Sequence, residues 1–260
     1  MKNAHLIGIS GTNFSNIEDE EKFLKWCSGA YSHMLLENTS NMRIDQCFVL
    51  DIRSDYPKIV HLNFFENLEE FASYAHSPER AAYYKDIYAS WGKTIDRSIQ
   101  VIYQVVKRFN NEEQATPKSG KSEAKTFQED IYQEENAPVI LLKGLGLSGE
   151  EWGKYDAWVN EWAYEVYIPV LMKIPGVIEY NRCWLSNIGW FGSPPKPGAS
   201  EDTKYPQDLS IIYFENVKAY NIFQNSKGLA AFDKNLAAEF PGGLQSKWDI
   251  AYQLHARWTR

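Results

Sequence analysis

The sequence has little of what several classes of protein require. Its 260 residues include three cysteines, an odd number that cannot all pair within one chain. No CxxC or HxxxH pair occurs, so no local spacing suits a metal ion. No apolar run approaches the roughly 20 residues that cross a bilayer. The net charge of −7 also differs from the basic surface that binds nucleic acid. We therefore expect no metal, no membrane and no nucleic acid as partners.

Neither the N-terminus nor the cysteines suggest export. The opening residues, MKNAHLIGISGTN, form a short apolar run that glycines interrupt, without the small-residue cleavage site of a signal peptide. Cys47 and Cys183 lie in apolar stretches, and we predict that they are buried free thiols, as is usual in a reducing compartment. These features predict a cytoplasmic protein.

Motifs for bound nucleotides and for covalent catalysis are also missing. The segment GLGLSG at 144–149 fits the Gly-x-Gly-x-x-Gly pattern. That pattern binds a dinucleotide only where a parallel strand turns into a helix of a βαβ unit, and the surrounding residues predict a different order. No Gly-x-Ser-x-Gly segment occurs. We therefore expect no bound cofactor and no serine nucleophile.

What the sequence does contain is an internal repeat. The segment NFFENLEEFASYAHS at 63–77 returns as IYFENVKAYNIFQNS at 212–226, a shift of 149 positions. Upstream, a shift of 136 aligns four further pairs: Gly8 with Gly144, Trp26 with Trp162, Tyr31 with Tyr167, and Cys47 with Cys183. Two ungapped registers that carry the same features in the same order indicate a duplicated domain.

The repeat divides the chain into two units. We predict a first unit at 1–109 and a second at 138–260, each within the usual size range of a domain. The segment 110–137 between them is polar and is predicted to be a flexible linker. The difference between the two registers is explained by a Gly/Pro-rich insertion loop at 186–208 of the second unit.

Each unit is predicted to fold as β-α-β-β-α-β. The first helix has apolar residues at helical spacing: Phe23, Trp26, Ala30 and Met34 in one copy, and Val159, Trp162, Val166 and Val170 in the other. The second helix is predicted over 68–88 and 217–238. This order is the split ferredoxin-like unit, whose open antiparallel sheet leaves one face to bury. The predicted fold is therefore α+β, with two ferredoxin-like repeats packed sheet to sheet as an intrachain α+β barrel.

The last strand of each unit alternates between an apolar and a polar face. We predict that the apolar face packs on the helices; it comprises Val101, Tyr103, Val105, Ile250, Tyr252 and Leu254. The polar face is predicted to line either a wet interior between the sheets or an exposed surface; it comprises Gln100, Gln104, Arg108, Asp249, Gln253, His255 and Arg257.

The segment WAYEVYIPVLMKIPGVIEYNR at 162–182 resembles the first helix and following strand of a known group. These are the dimeric α+β barrel proteins of the EthD-like and antibiotic-biosynthesis-monooxygenase-like type. The matching positions are Trp162, Ile168, Pro169, Leu171, Pro175, Gly176 and Arg182. One departure is clear: the histidine of that pattern is replaced by Tyr167, and by Tyr31 in the first copy.

The resemblance implies a small-molecule enzyme that needs no cofactor. Such an enzyme would be an oxygenase, an isomerase or a cyclase acting on an aromatic or polyketide-like substrate. Loss of the histidine leaves a non-catalytic binding or structural protein open as the alternative. Haem, which some proteins of this fold bind, ranks third because no histidine occupies a matching axial-ligand position. A homo-oligomer also stays open.

The candidate site is predicted in the second unit, with a small apolar or aromatic molecule as its ligand. The catalytic candidates are Tyr167, beside a helix bend expected at Pro169, and His255 and His76, because histidine is a common general base. The ligand-binding candidates combine aromatic walls with a few polar groups: Trp162, Arg182, Trp184, Trp190 and Gln253. The plainer alternative is a bent core helix with Tyr167 in its packing, a surface His76, and tryptophans that only fill the core.

Overall fold

The structure is a computed structural model that describes residues 5–50, 56–111, 128–133, 136–146, 149–186, 205–241 and 244–260. Trp190 and most of the predicted insertion loop lie outside these residues, as does most of the predicted linker. No helix of the described part of the chain is long and apolar enough to cross a membrane.

Strands and helices follow the same order in both halves of the chain. The first half contains β1 (Leu6–Phe14), α1 (Ile17–Trp26), a π-helical segment (Cys27–Tyr31), α2 (Ser32–Asn38), β2 (Arg43–Val49), β3 (Ile59–Phe65), α3 (Leu68–Ala75), α4 (Pro78–Trp91) and β4 (Ile95–Asn110). A short strand, β5 (Gln128–Ile131), follows within the segment predicted as a linker. The second half contains β6 (Val139–Gly146), α5 (Gly149–Trp158), a π-helical segment (Val159–Tyr167), α6 (Ile168–Met172), β7 (Val177–Leu185), β8 (Asp208–Phe214), α7 (Val217–Gln224), α8 (Lys227–Glu239) and β9 (Gln245–Thr259).

The second helix of each unit is broken in two, whereas the sequence predicted one continuous helix. The break between α3 and α4 lies at Ser77, whose hydroxyl accepts the Arg80 N–H and so caps α4. Pro78 follows at the first turn, where a missing N–H costs nothing. Ser226 caps α8 in the same way by accepting the Leu229 N–H. A side-chain oxygen at these positions satisfies a free helical N–H, which favours a new helix start over continuation.

The two long strands β4 and β9 close the barrel, because each pairs with strands of both halves. β4 pairs with β1 as far as Gln104 and with β7 from Tyr103 onwards. β9 pairs with β6 as far as Gln253 and with β2 from Tyr252 onwards. The strand order is β2-β3-β1-β4-β7-β8-β6-β9, and the β9–β2 pairing completes an eight-stranded antiparallel barrel. The predicted α+β barrel is confirmed.

The middle of the barrel interior is apolar, so the face predicted for the apolar residues of the last strands is wrong. Of the residues predicted on the polar face, Arg257 does lie on the interior side, where it pairs with Asp45 beside Tyr213. The interior cluster contains strand residues from both halves and no helix residue, and it includes Val101, Tyr103, Ile250, Tyr252 and Leu254. Two further clusters lie between the sheets and the helices, one in each half. The helix-covered face of the N-terminal sheet, not the interior, carries the polar side chain of Gln100, which lies in one row with the buried His61.

The predicted register of the first strand is wrong by three residues. Gly144 in β6 lies opposite Leu209, and the corresponding pairing in β1 joins Gly11, not Gly8, to Val60. Gly11 faces the ring of Pro57, which precedes β3, and Gly144 faces the ring of Pro206, which precedes β8. A Cβ at either glycine would collide with the proline. The close approach of the proline therefore explains why glycine is needed there.

Candidate functional site

A cavity of about 40 Å³ lies between the helices and the sheet of the C-terminal half. Its walls combine aromatic and aliphatic side chains with a few polar ones; the polar residues are Lys143, Tyr155, Tyr180, Arg182, Asp208 and Ser210. Trp158 and Phe232 form part of the apolar wall. This volume holds a few water molecules, whereas sites for drug-sized ligands measure roughly 300–1,000 Å³.

Arg182 is the central polar residue of the cavity. It lies on β7 opposite Ser210 of β8, and only 1% of its surface is exposed. Its Nε donates to Asp208 Oδ2 at 2.6 Å, and its Nη1 donates to the Tyr164 hydroxyl at 2.9 Å. Asp156 accepts a longer contact of 3.4 Å from the same Nη1. The guanidinium is thus held by two carboxylates and a phenol.

Aromatic rings enclose this guanidinium. Its central carbon lies 5.6 Å from the ring centroid of Tyr155 and 5.5 Å from that of Trp184. Trp184 in turn contacts Trp152 edge to face at 5.7 Å. Cation–π contacts of this kind are stronger where water is excluded. The surrounding rings therefore help to keep the charged Arg182 buried.

Asp208 is the carboxylic acid that lines the cavity, and its pKa is raised. Its side chain is almost fully buried, and burial raises the pKa of Asp208 above its ordinary value, although the partner Arg182 and the Tyr155 hydroxyl oppose this shift. Burial alone would lower the pKa of Arg182, but Asp208 and Tyr164 more than offset it, so Arg182 stays protonated. A carboxylate with a raised pKa is a stronger base than an exposed one.

Two phenols complete the polar wall. The Tyr180 hydroxyl lies 2.6 Å from Ser210 Oγ, and either oxygen can be the donor. Burial raises the pKa of Tyr180 and of Tyr155. Both phenols therefore stay protonated at neutral pH and can donate a hydrogen bond to an anionic group in the cavity.

Tyr167 lies in an aromatic stack at the edge of this region. Its ring stacks on Phe232 at 3.8 Å and on Trp162 at 5.9 Å. The hydroxyl contacts neither Arg182 nor His255, and no backbone carbonyl of the described residues accepts a hydrogen bond from it. Burial raises the pKa of Tyr167. The same stack occurs in the first half, where Tyr31 lies 4.1 Å from Tyr83 and 5.3 Å from Trp26.

Both stacking tyrosines end a π-helical segment. The segment Val159–Tyr167 precedes Pro169, where the sequence predicted a bend. Cys27–Tyr31 is also π-helical although His33, not a proline, follows it, so proline is not required for this geometry. Directly after that segment, the Ser32 hydroxyl of α2 donates to the Cys27 carbonyl oxygen at 2.9 Å. Single π-helical turns are frequent at functional sites.

Three further predicted site residues, His255, His76 and Gln253, do not line the cavity. His255 is half-buried on β9 and contacts Phe48 edge to face at 5.0 Å. His76 is exposed at the end of α3. Gln253 lies on β9 opposite Val139. Among the residues that the structure describes, no group of three or more His, Cys, Asp or Glu side chains is placed to hold a metal ion.

The sequence therefore led to one polar lining residue, Arg182, and missed the other five: Lys143, Tyr155, Tyr180, Asp208 and Ser210. Asp208 was hidden because it lies at the end of the insertion loop, which has no counterpart in the first copy. A signal was present, because Ser210 aligns with His61 at the shift of 149 positions. Residues two positions apart along a strand lie on the same face, so Asp208 lies on the same face as Ser210.

Neither a scan against protein-family models nor a search of the curated proteins finds a match to this sequence. Solved structures do match. A protein of Fusobacterium nucleatum, provisionally described as a monooxygenase, superposes with a TM-score of 0.63 at 6% identity, over 100% of this chain and 96% of that one. An anthrone oxidase-like protein superposes with a TM-score of 0.59 at 10% identity, over 99% and 94%. A provisional monooxygenase of Lactobacillus acidophilus gives 0.52 at 9% identity, over 98% and 94%.

These similarities extend over nearly the whole chain but involve few identical residues. They show that the chain has the fold of the monooxygenase-like, ferredoxin-related α+β barrels. The structural resemblance predicted from residues 162–182 is confirmed at the level of the fold.

Proposed function

We propose that this chain is a small-molecule enzyme of the monooxygenase-like type, with its active site in the C-terminal cavity. The observation that carries the proposal is Asp208, a buried carboxylate with a raised pKa beside a cavity lined by aromatic rings and phenols. Titratable groups perturbed in this way are typical of catalytic sites. Similarity to an anthrone oxidase-like protein supports an aromatic, polyketide-like substrate.

Asp208 acts as the general base in this proposal. It accepts a proton from an acidic C–H or O–H of the substrate, as a carboxylate with a raised pKa can do at neutral pH. The negative charge that develops on the substrate oxygen is stabilised by Arg182 and by hydrogen bonds from Tyr155 and Tyr180. The resulting enolate is a common starting point for reaction with O2, for isomerisation and for cyclisation.

A flat aromatic substrate needs more room than the present cavity offers. Phe232 and Leu236 on α8 face Val159 and Ala163 of the π-helical segment across the cavity. Substrate entry therefore requires α8 and the π-helical segment to separate. Such opening of helices over a binding site usually occurs on the microsecond-to-millisecond timescale.

Anthrone is a suitable probe substrate. Its CH2 group reacts with O2 to give the C=O of anthraquinone and one water molecule, so oxygen consumption and anthraquinone absorbance should rise together. We expect Asp208→Asn to lose activity by about 100-fold or more, the usual contribution of a general base. Asp45→Asn is the matched control, because Asp45 is also a buried carboxylate paired with arginine but lies outside the cavity. Equal activity of the two variants would refute the role of Asp208.

A non-catalytic binding or structural protein is the second candidate. It is favoured by the small cavity volume and by the direct Arg182–Asp208 ion pair, which occupies both groups in the absence of substrate. In that case anthrone, or a related flat ketone, would raise the melting temperature without any oxygen consumption or product absorbance. This result would assign the cavity to binding alone.

A further inference from the structure

Lys143 is a second cation that faces the C-terminal cavity, in addition to Arg182. It lies on β6 opposite Ser210 of β8, and Ser210 also lies opposite Arg182 on β7, so the two cations share one row across three strands. Neighbouring strands are spaced so that the backbone positions of the two cations are about 10 Å apart. A ligand in the cavity therefore meets one cation on each side of Ser210.

The two cations differ in how firmly their acidic partners are held. Arg182 Nε lies 2.6 Å from Asp208 Oδ2, and the side chains of this pair are only 1% and 3% exposed. Lys143 Nζ lies 3.2 Å from Asp233 Oδ1, and these side chains are 25% and 52% exposed. Exposed ion pairs contribute little to stability, because water competes for both charges. Another anion can therefore replace Asp233 at Lys143.

Asp233 belongs to α8, the helix that must move for a substrate to enter. The same helix contributes Phe232 and Leu236 to the wall of the cavity. Movement of α8 carries Asp233 away from Lys143, which stays on its strand. The open cavity then has a lysine at its edge that has lost its acidic partner.

The first half has no such ion pair at the corresponding place. In strand register Ser10 occupies the position of Lys143. At the shift of 149 positions Tyr84 occupies that of Asp233. Because two uncharged residues stand there in a half with the same order of strands and helices, the fold itself does not require the ion pair. The pair is instead found beside the cavity described above.

We propose that Lys143 determines specificity for an aromatic carboxylate as the substrate. The carboxylate of the substrate replaces Asp233 as the partner of Lys143, while the rings pack against Trp158 and Phe232 of the apolar wall. Binding of the anion and opening of α8 favour each other, because both require Lys143 to release Asp233. The inference rests on the function proposed above, since it takes this cavity as the substrate site.

Two probes of the same shape test the preference for charge. 2-Naphthoate carries a carboxylate, and 2-naphthamide has a neutral amide of similar size in its place. In calorimetric titrations we expect 2-naphthoate to bind about tenfold more tightly, the effect of one hydrogen bond to a charged group. The ratio of the two affinities should fall as salt is added, because salt screens the charges. Equal binding of both probes, or binding of neither, would overturn the proposal.

Three variants assign the preference to Lys143. Lys143→Gln should reduce the ratio of the two affinities to about one, and Lys143→Arg should retain the preference because a cation remains. Asp233→Asn should raise the affinity for 2-naphthoate about threefold relative to that for 2-naphthamide, because it removes the competing carboxylate of an exposed pair. A preference that survives in Lys143→Gln would refute the role of Lys143.

Lys154→Gln is the matched control for loosening of α8. Lys154 on α5 donates to the Glu239 carbonyl oxygen at the end of α8, so it also holds this helix, but it does not line the cavity. Its loss should leave the ratio of the two affinities unchanged. If Lys154→Gln abolishes the preference as Lys143→Gln does, the preference comes from the position of α8 and not from the charge of Lys143, and the proposal is wrong.

The inference and the proposed reaction can fail separately. Neither naphthalene probe has the CH2 group of anthrone, so binding is measured without turnover. Loss of the charge preference in a protein that oxidises anthrone with the help of Asp208 would reject the role of Lys143 alone. A preference that depends on Lys143, in a protein that does not oxidise anthrone, would support the inference and assign the cavity to the binding of aromatic acids.

Discussion

Tyr167 and Tyr31 occupy corresponding places in the two halves, yet their hydroxyl groups differ in surroundings. The Tyr31 hydroxyl lies near the phenols of Tyr74 and Tyr83, and burial together with these phenols raises its pKa, whereas the Tyr167 ring stacks on Phe232, which has no hydroxyl. We expect Tyr31→Phe to lower the free energy of unfolding by about 1 kcal/mol. Tyr167→Phe should change it by less than about 0.5 kcal/mol.

Urea unfolding curves with equal slopes would provide both values. A cost for Tyr167→Phe as large as that for Tyr31→Phe would mean that its hydroxyl bonds to a group outside the stack. If the cost is small, Tyr167 contributes mainly its ring to the fold. The tyrosine that replaces the histidine of the family pattern then contributes to packing at this position.

His61 makes stability depend on pH. Burial, with a smaller contribution from Arg97, lowers the pKa of His61 from 6.5 to about 3. Between these two values the unfolded chain binds a proton that the folded chain does not, so stability falls as the pH decreases through this window. The slope should approach about 1.4 kcal/mol per pH unit. His61→Gln keeps a hydrogen-bonding side chain beside Gln46 but cannot take up the proton.

Free energies of unfolding measured between pH 7 and pH 4 for the wild type and His61→Gln test this expectation. The difference between the two proteins should be nearly constant above pH 7 and should shift in favour of the variant as the pH falls. Parallel curves across the whole range would show that His61 has the same pKa in the folded and the unfolded chain.

At the scale of the elements, the turn between α6 and β7 depends on one glycine. Gly176 has φ +83°, and it is the only residue of the described chain with positive φ. A Cβ at this position would also collide with the Ala219 side chain at the start of α7. We expect Gly176→Ala to lower the free energy of unfolding by about 2 kcal/mol or more, from backbone strain of roughly 1–2 kcal/mol and the collision.

The double variant Gly176→Ala/Ala219→Gly separates the two causes. It removes the collision but keeps the strained backbone, and Ala219→Gly alone measures the cost of a glycine in α7. Partial recovery in thermal melts, after subtraction of that cost, is the expected result. Full recovery would show that the backbone is not strained, and no recovery would show that the collision is relieved by other means.

The sequence was sufficient to predict the main strands and helices and how they alternate, because the two halves could be checked against each other, but it missed β5 and the break in the second helix of each half. It was not sufficient to assign the faces of β4 and β9. Alternation places Tyr103 and Gln100 on opposite faces, but both faces of these strands are covered, one by the opposite sheet and one by the helices. A dry interior requires the apolar face inside, and the helices then cover polar residues such as His61.

The candidate site was only partly predictable for a related reason. Arg182 was recognised because it lies in a motif, but its partner Asp208 is 26 positions away along the chain. The two meet only through the pairing of β7 with β8, across a loop that has no counterpart in the first copy. Contacts between distant residues depend on the strand register. The register predicted from the sequence was wrong by three residues even in the first strand.

At the scale of the whole molecule, one ionic cluster joins the two halves where β2 meets β9. Arg257 donates from Nε to Asp45 Oδ1 at 2.7 Å and from Nη2 to Oδ2 at 2.9 Å. Arg43 pairs with the same carboxylate at 2.9 Å and also donates to the Tyr213 hydroxyl at 2.9 Å. Burial raises the pKa of Asp45, but the two arginines more than offset it and hold the pKa below 3.8. The stability that this cluster contributes is therefore lost only as the pH falls through the lowered pKa of Asp45.

The corresponding place where β4 meets β7 uses different chemistry. Arg108 donates from Nε to Asn181 Oδ1 at 2.8 Å and lies 3.3 Å from a Glu179 oxygen. An amide thus stands where the other junction has a carboxylate, and an acid stands where it has an arginine. Unlike clusters of this kind favour pairing of the two different halves over pairing of two identical ones.

Separate expression of the two halves tests this selectivity. Fragments 1–111 and 128–260 each lack the partner strands that β4 or β9 needs, so neither should form the closed barrel as a monomer. Mixed together, they should form a 1:1 complex with the circular dichroism spectrum of the intact chain, because the interior cluster draws residues from both fragments. Analytical ultracentrifugation of the mixture and of each fragment alone gives the stoichiometry.

The matched variant Asp45→Asn in the first fragment makes its junction resemble the other one, and it should weaken the mixed complex while leaving any self-association of 128–260 unchanged. A stable homodimer of fragment 1–111 that does not exchange with 128–260 would contradict the proposed selectivity.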